Sequence, residues 1–190
     1  MSERRGDLGR ELARIAIFAA LIIVLGMVTV PLPTGVPITG QTLGVMLAGT
    51  VLGPRRGPLT VLLVLVLAAI GLPVLAGGHG GIASFTGPSA GYLVGWVAGA
   101  FVTGLIAHSG RMTWWRTGLA TVVGGIGVVY LIGIPVQAAV MGLGLGPTAL
   151  ASLGFLPGDV LKAIAATVLA LALRRAYPPA FGAMARAHAA

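Results

Sequence analysis

Asp159 and Lys162 stand three residues apart in Phe155-Leu156-Pro157-Gly158-Asp159-Val160-Leu161-Lys162, in a region otherwise without charge. Asp159 is the sole acidic residue beyond Glu11, and Lys162 is the sole lysine. On a helix this spacing puts both side chains on one face. Inserting either at the centre of a membrane helix costs about 2.5–3.5 kcal/mol, and somewhat less near an interface. One reading is a helix start, with Asp159 favouring the dipole and Lys162 closing an i,i+3 pair. That explains why the two are tolerated together, but not why either is needed. The sharper reading is a polar anchor for a ligand in an apolar pocket. Asp159 would accept two N–H bonds, and Lys162 would donate to a carbonyl or pair with a carboxylate.

Other polar side chains fall at the same level of the chain. Thr39 and Gln41 open a second apolar run, Tyr92 opens a fourth, and Gln137 lies near the end of a fifth. Each alone reads as a helix cap or an interhelical hydrogen bond. Their convergence with Asp159 and Lys162 marks a site. His79 joins them from a glycine run, where Gly77, Gly78, Gly80 and Gly81 would suit close backbone approach to a ligand or to neighbouring helices.

Catalysis finds little support. Gly87-Pro88-Ser89-Ala90-Gly91 matches the nucleophile pattern of serine hydrolases. However, His108 and His188 fall at the far end of the bundle, and no strand-to-helix elbow is expected here. One acidic residue cannot make a carboxylate pair. There is no cysteine for disulfide, thiolate or metal chemistry, and no P-loop for ATP. No enzyme activity, metal or cofactor is expected.

The elements that must position these residues follow from composition. Hydrophobic residues make up 57%, charged residues 8%, and the mean hydropathy is +1.01. Too little charge remains for a water-facing surface, so lipid must be the solvent. The chain reads as an all-α membrane protein, a single integral domain over 1–190. Apolar runs predict six helices near 12–30, 39–52, 59–75, 91–107, 118–137 and 158–173, with a tail over 174–190. Arg4-Arg5 before an apolar run resembles a twin-arginine signal. The run is long and leads into Pro31-Leu32-Pro33-Thr34, so a retained first helix is expected.

Charge then orients the bundle. The eleven arginines fall at Arg4, Arg5, Arg10 and Arg14; Arg55 and Arg56; Arg111 and Arg116; and Arg174, Arg175 and Arg186. With six helices these are the N-terminus, the 2–3 loop, the 4–5 loop and the C-terminus, all on one side. The positive-inside rule makes that side cytoplasmic, with both termini in and Trp114-Trp115 at the inner interface. The net charge of +8 suits anionic lipid, and no nucleic-acid partner is expected. The opposite segments, 31–40, 71–90 and 141–157, contain no Asp, Glu, Lys or Arg and are rich in Gly, Pro, Thr and apolar residues. Such segments look folded inward as a lid or vestibule. In helix 1, Ala16 and Ala20 form a small-residue face, for internal packing or for docking a partner subunit.

The assembled pattern resembles the BioY family, the biotin-capturing S components of energy-coupling factor (ECF) transporters. The matching segments are Pro37-Ile38-Thr39-Gly40-Gln41-Thr42, Leu52-Gly53-Pro54-Arg55-Arg56-Gly57, Gly71-Leu72-Pro73-Val74, Gly87-Pro88-Ser89-Ala90-Gly91-Tyr92 and Leu156-Pro157-Gly158-Asp159-Val160-Leu161-Lys162. They run in family order across roughly residues 12–175, and it is the ordered set that is specific. Gly40 and Ser89-Ala90 depart from the usual pattern. The resemblance implies a six-helix S component in the cytoplasmic membrane of a prokaryote. It would bind biotin from outside and join a transmembrane coupling subunit and two ATP-binding subunits. The family's docking face on helix 1 maps to Ala16 and Ala20.

Biotin chemistry suits the polar residues. Asp159 fits the ureido N–H groups, and Lys162 fits the ureido carbonyl or the carboxylate, with the absence of an outer arginine favouring the carboxylate. Two rivals share the features: an S component for another vitamin, and a secondary transporter with Asp159 as proton carrier. The lack of an evident inverted repeat argues against the second. The topology itself is open to a direct test in this cysteine-free chain. Single cysteines at 55 and 111 should resist an impermeant thiol reagent in intact cells and react after permeabilisation; labelling of position 55 in intact cells would reverse the orientation.

Overall fold

The computed structural model describes residues 2–30 and 36–181, with side chains from residue 8 onward. Residues 31–35 of the first uncharged segment, residues 182–190 of the tail with Arg186 and His188, and the side chains of Arg4 and Arg5 lie outside the described residues. Among the described residues seven α-helices run in order: α1 (Ser2–Met27), α2 (Gln41–Ala69), α3 (Ala90–His108), α4 (Trp114–Val122), α5 (Val129–Met141), α6 (Leu145–Ser152) and α7 (Leu156–Ala176). A π-helical turn, Val123–Val128, joins α4 to α5, and a 3-10 turn, Leu153–Phe155, joins α6 to α7. Among the described residues, four stretches are long and apolar enough to cross a membrane: Gln41–Ala69, Ala90–His108, Trp114–Met141 and Leu145–Ala176.

The expected second and third helices form one element with a sharp break. Gly53 takes φ 84° and ψ −175°, a left-handed conformation open to glycine. Pro54 follows as the first residue of the resumed helix, where its missing N–H is no loss. Arg55 and Arg56 therefore sit in a helical turn rather than in the expected loop. The break leaves the Thr50 carbonyl without the N–H that residue 54 would have supplied. His108 Nε2 occupies that position at 2.9 Å, donating from the end of α3. Gly104 makes the approach feasible, because a Cβ there would come within 2.6 Å of the Gly53 carbonyl carbon and the Pro54 nitrogen.

Other boundaries shift for local reasons. The expected fifth helix begins earlier, at Trp114, because Thr113 caps it by accepting from the Arg116 N–H. The run to Met141 continues through the π-helical turn Val123–Val128, where Gly124 backs directly onto Gly99 of α3. The uncharged segment after Met141 forms α6, which leads into α7 with almost no linker.

Between α1 and α2 the chain makes a two-residue antiparallel hairpin, Thr29–Val30 against Ile38–Thr39, with Thr29 opposite Thr39. The Gly40 N–H donates to Leu25 O at 3.1 Å and draws the start of α2 against α1. α3 lies between α2 and the α4–α5 run, and α7 packs on α2 and α4. One apolar cluster, including Tyr92, Trp96, Val129 and Phe155, lies toward the hairpin; a second, including Met46, Leu52, Met112 and Phe181, lies toward the arginines. At that arginine-rich end, Arg56 pairs with Glu11 and ties α1 to the resumed half of α2. The segment after α2, 71–89, folds over the opposite end through 3-10 turns at Ala76–Gly78 and Ile82–Phe85.

Candidate ligand-binding site

Beneath that folded segment lies a cavity of about 550 Å³. Its walls come from the hairpin, the start of α2, the 72–89 segment, α3, α5 and α7, and they include Thr39, Gln41, His79, Tyr92, Asp159 and Lys162. Of the residues singled out in the sequence these six share one space, and Gln137 does not line it. The volume falls in the range of small-molecule sites.

Asp159 lies in the first turn of α7, behind Pro157, and is 6% exposed. Its carboxylate receives three donors from three helices. Lys162 Nζ reaches Oδ1 at 2.9 Å, Tyr130 Oη of α5 reaches Oδ2 at 2.7 Å, and Thr42 Oγ1 of α2 reaches Oδ1 at a long 3.4 Å. A buried ion pair is sustained only where further hydrogen bonds satisfy what the pair leaves over, and Tyr130 supplies the shortest of them. A carboxylate offers about four acceptor sites, so room remains for about one more donor. Lys162 spends one of three N–H donors on Asp159 and lines the cavity with the rest.

Gln41 is fully buried at the start of α2. Its Nε2 donates to Val74 O at 3.1 Å, pinning the covering segment, and its backbone N–H donates to Thr39 Oγ1 at 3.2 Å. Gln41 Oε1 has no hydrogen-bond partner among the described residues. A buried acceptor left empty costs roughly 1–3 kcal/mol, and this one belongs to a residue of the cavity wall, next in sequence to Thr42. Thr39, one residue before the Gly40 N-cap, thus satisfies the first N–H of α2, and Gln41 carries the open acceptor.

Tyr92 makes an interhelical hydrogen bond and also lines the cavity. Its hydroxyl donates to Gln137 Oε1 at 2.8 Å and lies 3.1 Å from Ser152 Oγ, in a network behind the wall. The cavity meets its ring, which packs edge-on to Tyr130 and Phe155 at centroid distances of 6.3 and 6.4 Å. Gln137 belongs to that network, outside the lining. His79 is exposed and sits at the solvent side. Its Nδ1 donates to Ala76 O at 2.6 Å, which leaves Nε2 as the acceptor of the neutral ring.

Tyr130, Thr42, Trp96 and Phe155 also line the cavity and were not identified from the sequence. Tyr130 had a usable signal: it lies seven residues before Gln137, on the same helix face. Ala16 and Ala20 are elsewhere. Both are exposed on α1, while Ala19 and Ile22 turn inward to the core.

Comparison with known proteins gives a consistent result. Residues 2–179 match the BioY family. A biotin transporter BioY from Rhizobium etli is 50% identical over 179 residues, covering 89% of this chain and 95% of the relative. A biotin transporter BioY from Rhodobacter capsulatus is 46% identical over 184 residues, covering 90% and 96%. The fold is similar to a crystal structure of the S-component for biotin from an ECF-type ABC transporter. That similarity has a TM-score of 0.83 at 35% identity and covers 90% of this chain and 93% of the other.

The Asp159 cluster predicts a specific stability effect. Tyr130→Phe removes the shortest donor to the carboxylate while keeping the ring, and should lower unfolding stability in mild detergent by about 1.5–3 kcal/mol. An unchanged thermal midpoint without ligand would show that Tyr130 does not support the pair.

Proposed function

The chain belongs to the BioY family, and from that premise we propose that it captures biotin at the outer face of the cytoplasmic membrane. It acts as the substrate-binding component of an ECF-type transporter. It is a multi-pass membrane protein of a prokaryote, and biotin is its cargo rather than a cofactor. No catalytic role is assigned to any residue. The observation that carries the reading is the buried Asp159–Lys162 pair facing an apolar cavity beside Gln41 Oε1, which is unpartnered among the described residues.

The pose follows from donor and acceptor counting. A ureido ring offers two N–H donors and one carbonyl. Asp159 takes one N–H at its remaining acceptor site, and Gln41 Oε1 takes the other. Lys162 Nζ lies 2.9 Å from Asp159 Oδ1, so it is within reach of the same ring's carbonyl. This favours the ureido end for Lys162 over the carboxylate. The bicyclic ring packs on Tyr92, Trp96 and Phe155, and the valerate chain runs toward His79. Pairing of Asp159 with Lys162 also speaks against a role as a free proton carrier.

For topology we infer six crossings, with both termini and the arginines inside. The break at Gly53 supports this, since it divides α2 into two shorter helices with Arg55 and Arg56 at the junction. A chain with no nucleotide loop needs partners to use ATP. The proposed partners are a transmembrane coupling subunit and ATP-binding subunits, with the exposed Ala16 and Ala20 of α1 as the docking face.

Two outcomes test these assignments. Asp159→Asn and Lys162→Ala should each weaken biotin binding by about tenfold to more than a hundredfold, the loss of one charge-assisted hydrogen bond. Biotin amide should lose equal affinity in wild type and Lys162→Ala, because the lysine serves the ring; a smaller loss in the variant would return Lys162 to the carboxylate. Wild-type affinity no better than millimolar would remove biotin. Separately, Ala16→Trp or Ala20→Trp should block co-purification of the coupling subunit and leave biotin affinity unchanged. Unaltered pull-down in both variants would remove the docking face.

A further inference from the structure

Four arginines gather at the end of the bundle opposite the cavity, where α7 ends beside the turn between α3 and α4. Arg174 Nη1 donates to Met112 O at 2.9 Å and fixes the two segments together. Arg175 follows it, and Arg111 precedes Met112. Arg116, in the first turn of α4, folds its guanidinium back against Gly110, so closely that a Cβ at 110 would displace it. Among the described side chains the acidic ones are engaged elsewhere: Glu11 pairs with Arg56, and Asp159 with Lys162. Arg111, Arg116 and Arg175 accordingly make no ion pair among the described residues. Aromatic rings border the cluster: Trp115 is 84% exposed, Trp114 and Tyr177 about half.

We propose that this cluster is a binding site for the headgroup of an anionic phospholipid. Guanidinium groups match phosphate oxygens in a bidentate fork, and an uncompensated set of them attracts anionic headgroups. Exposed indole and phenol rings settle at headgroup depth, which places the arginines level with lipid phosphate. A free anion would use the arginines but gain nothing from the rings. An acidic protein surface would use the charge, yet would not need Trp115 to lie open toward lipid. The site is independent of biotin binding, since it lies at the other end of the molecule.

The experiment uses the full chain in mild detergent, titrated with phosphatidylglycerol, phosphatidylcholine or inorganic phosphate, and read by thermal midpoint and by lipid retained in native mass spectrometry. Phosphatidylglycerol should raise the midpoint and be retained, and the other two should do neither. Arg111→Gln/Arg175→Gln changes two exposed side chains that make no hydrogen bond or ion pair among the described residues, so it should fold; each removal should weaken phosphatidylglycerol binding about fivefold, roughly 25-fold together. Trp115→Ala should weaken it further. Unchanged affinity in the double variant overturns the site. Equal stabilisation by inorganic phosphate or phosphatidylcholine overturns the headgroup assignment. Loss of partner-subunit assembly in the double variant with lipid affinity intact would give the surface to a protein partner instead.

Discussion

A charged pair in an apolar bundle persists only while every hydrogen-bonding group on it has somewhere to go, and Asp159–Lys162 imposes that condition on three helices at once. The desolvation penalty of each ion is several kcal/mol, and mutual attraction alone does not reliably repay it. The added donors are Tyr130 from α5 and Thr42 from α2. Those helices must therefore meet at the first turn of α7. The start of α2 is held there by the hairpin, by Thr39 accepting from the Gln41 N–H, and by the Gly40 N–H on Leu25. The covering segment is held by Gln41 on Val74. The cavity is the space these obligations enclose.

The opposite end of the molecule answers the same rule with a different group. No water is available in hydrocarbon for a freed carbonyl, so a broken helix needs an internal donor. Gly53 and Pro54 free the Thr50 carbonyl, and His108 supplies the donor at 2.9 Å. Glycine makes both ends workable. Gly104 lets α3 reach the break, and the Gly99–Gly124 approach brings the π-helical turn against α3, one turn before Tyr130. Small residues replace the hydrophobic driving force that lipid removes.

How much of this was legible depended on which interaction fixed each feature. Composition and the spacing of apolar runs gave the helical membrane class, and the rarity of Asp159 and Lys162 exposed them as a pair. Thr39, Gln41, His79 and Tyr92 line one cavity, and the sequence could group them because each opens or borders a run at the same level. Their duties were not legible. Tyr92 turns its hydroxyl to Gln137 and Ser152, and only the packing of α5 and α6 decides that. Tyr130 escaped notice because a tyrosine inside an apolar run reads as core until its hydroxyl's partner is known. The break at Gly53 was visible as a turn but not as a continued helix, since Pro54 stops a helix interior yet suits the first position of a fresh one.

The neutrality of the pair has a consequence for ligand orientation. Asp159 and Lys162 cancel, so the buried end of the cavity carries no net charge to offset an anion. Driving a carboxylate into it would desolvate a third charge with no opposite partner to spare, a cost of several kcal/mol. A neutral ureido ring meets no such penalty and finds a carboxylate acceptor, an amide acceptor and an ammonium donor already placed. In the proposed pose the carboxylate therefore stays at the exposed His79 side, in contact with water. Recognition then rests on the ring, and the apolar wall of Tyr92, Trp96 and Phe155 adds area without adding charge. The pair that is expensive to bury holds the helices in register, and in the proposed pose it also selects a ligand whose buried end is polar but uncharged.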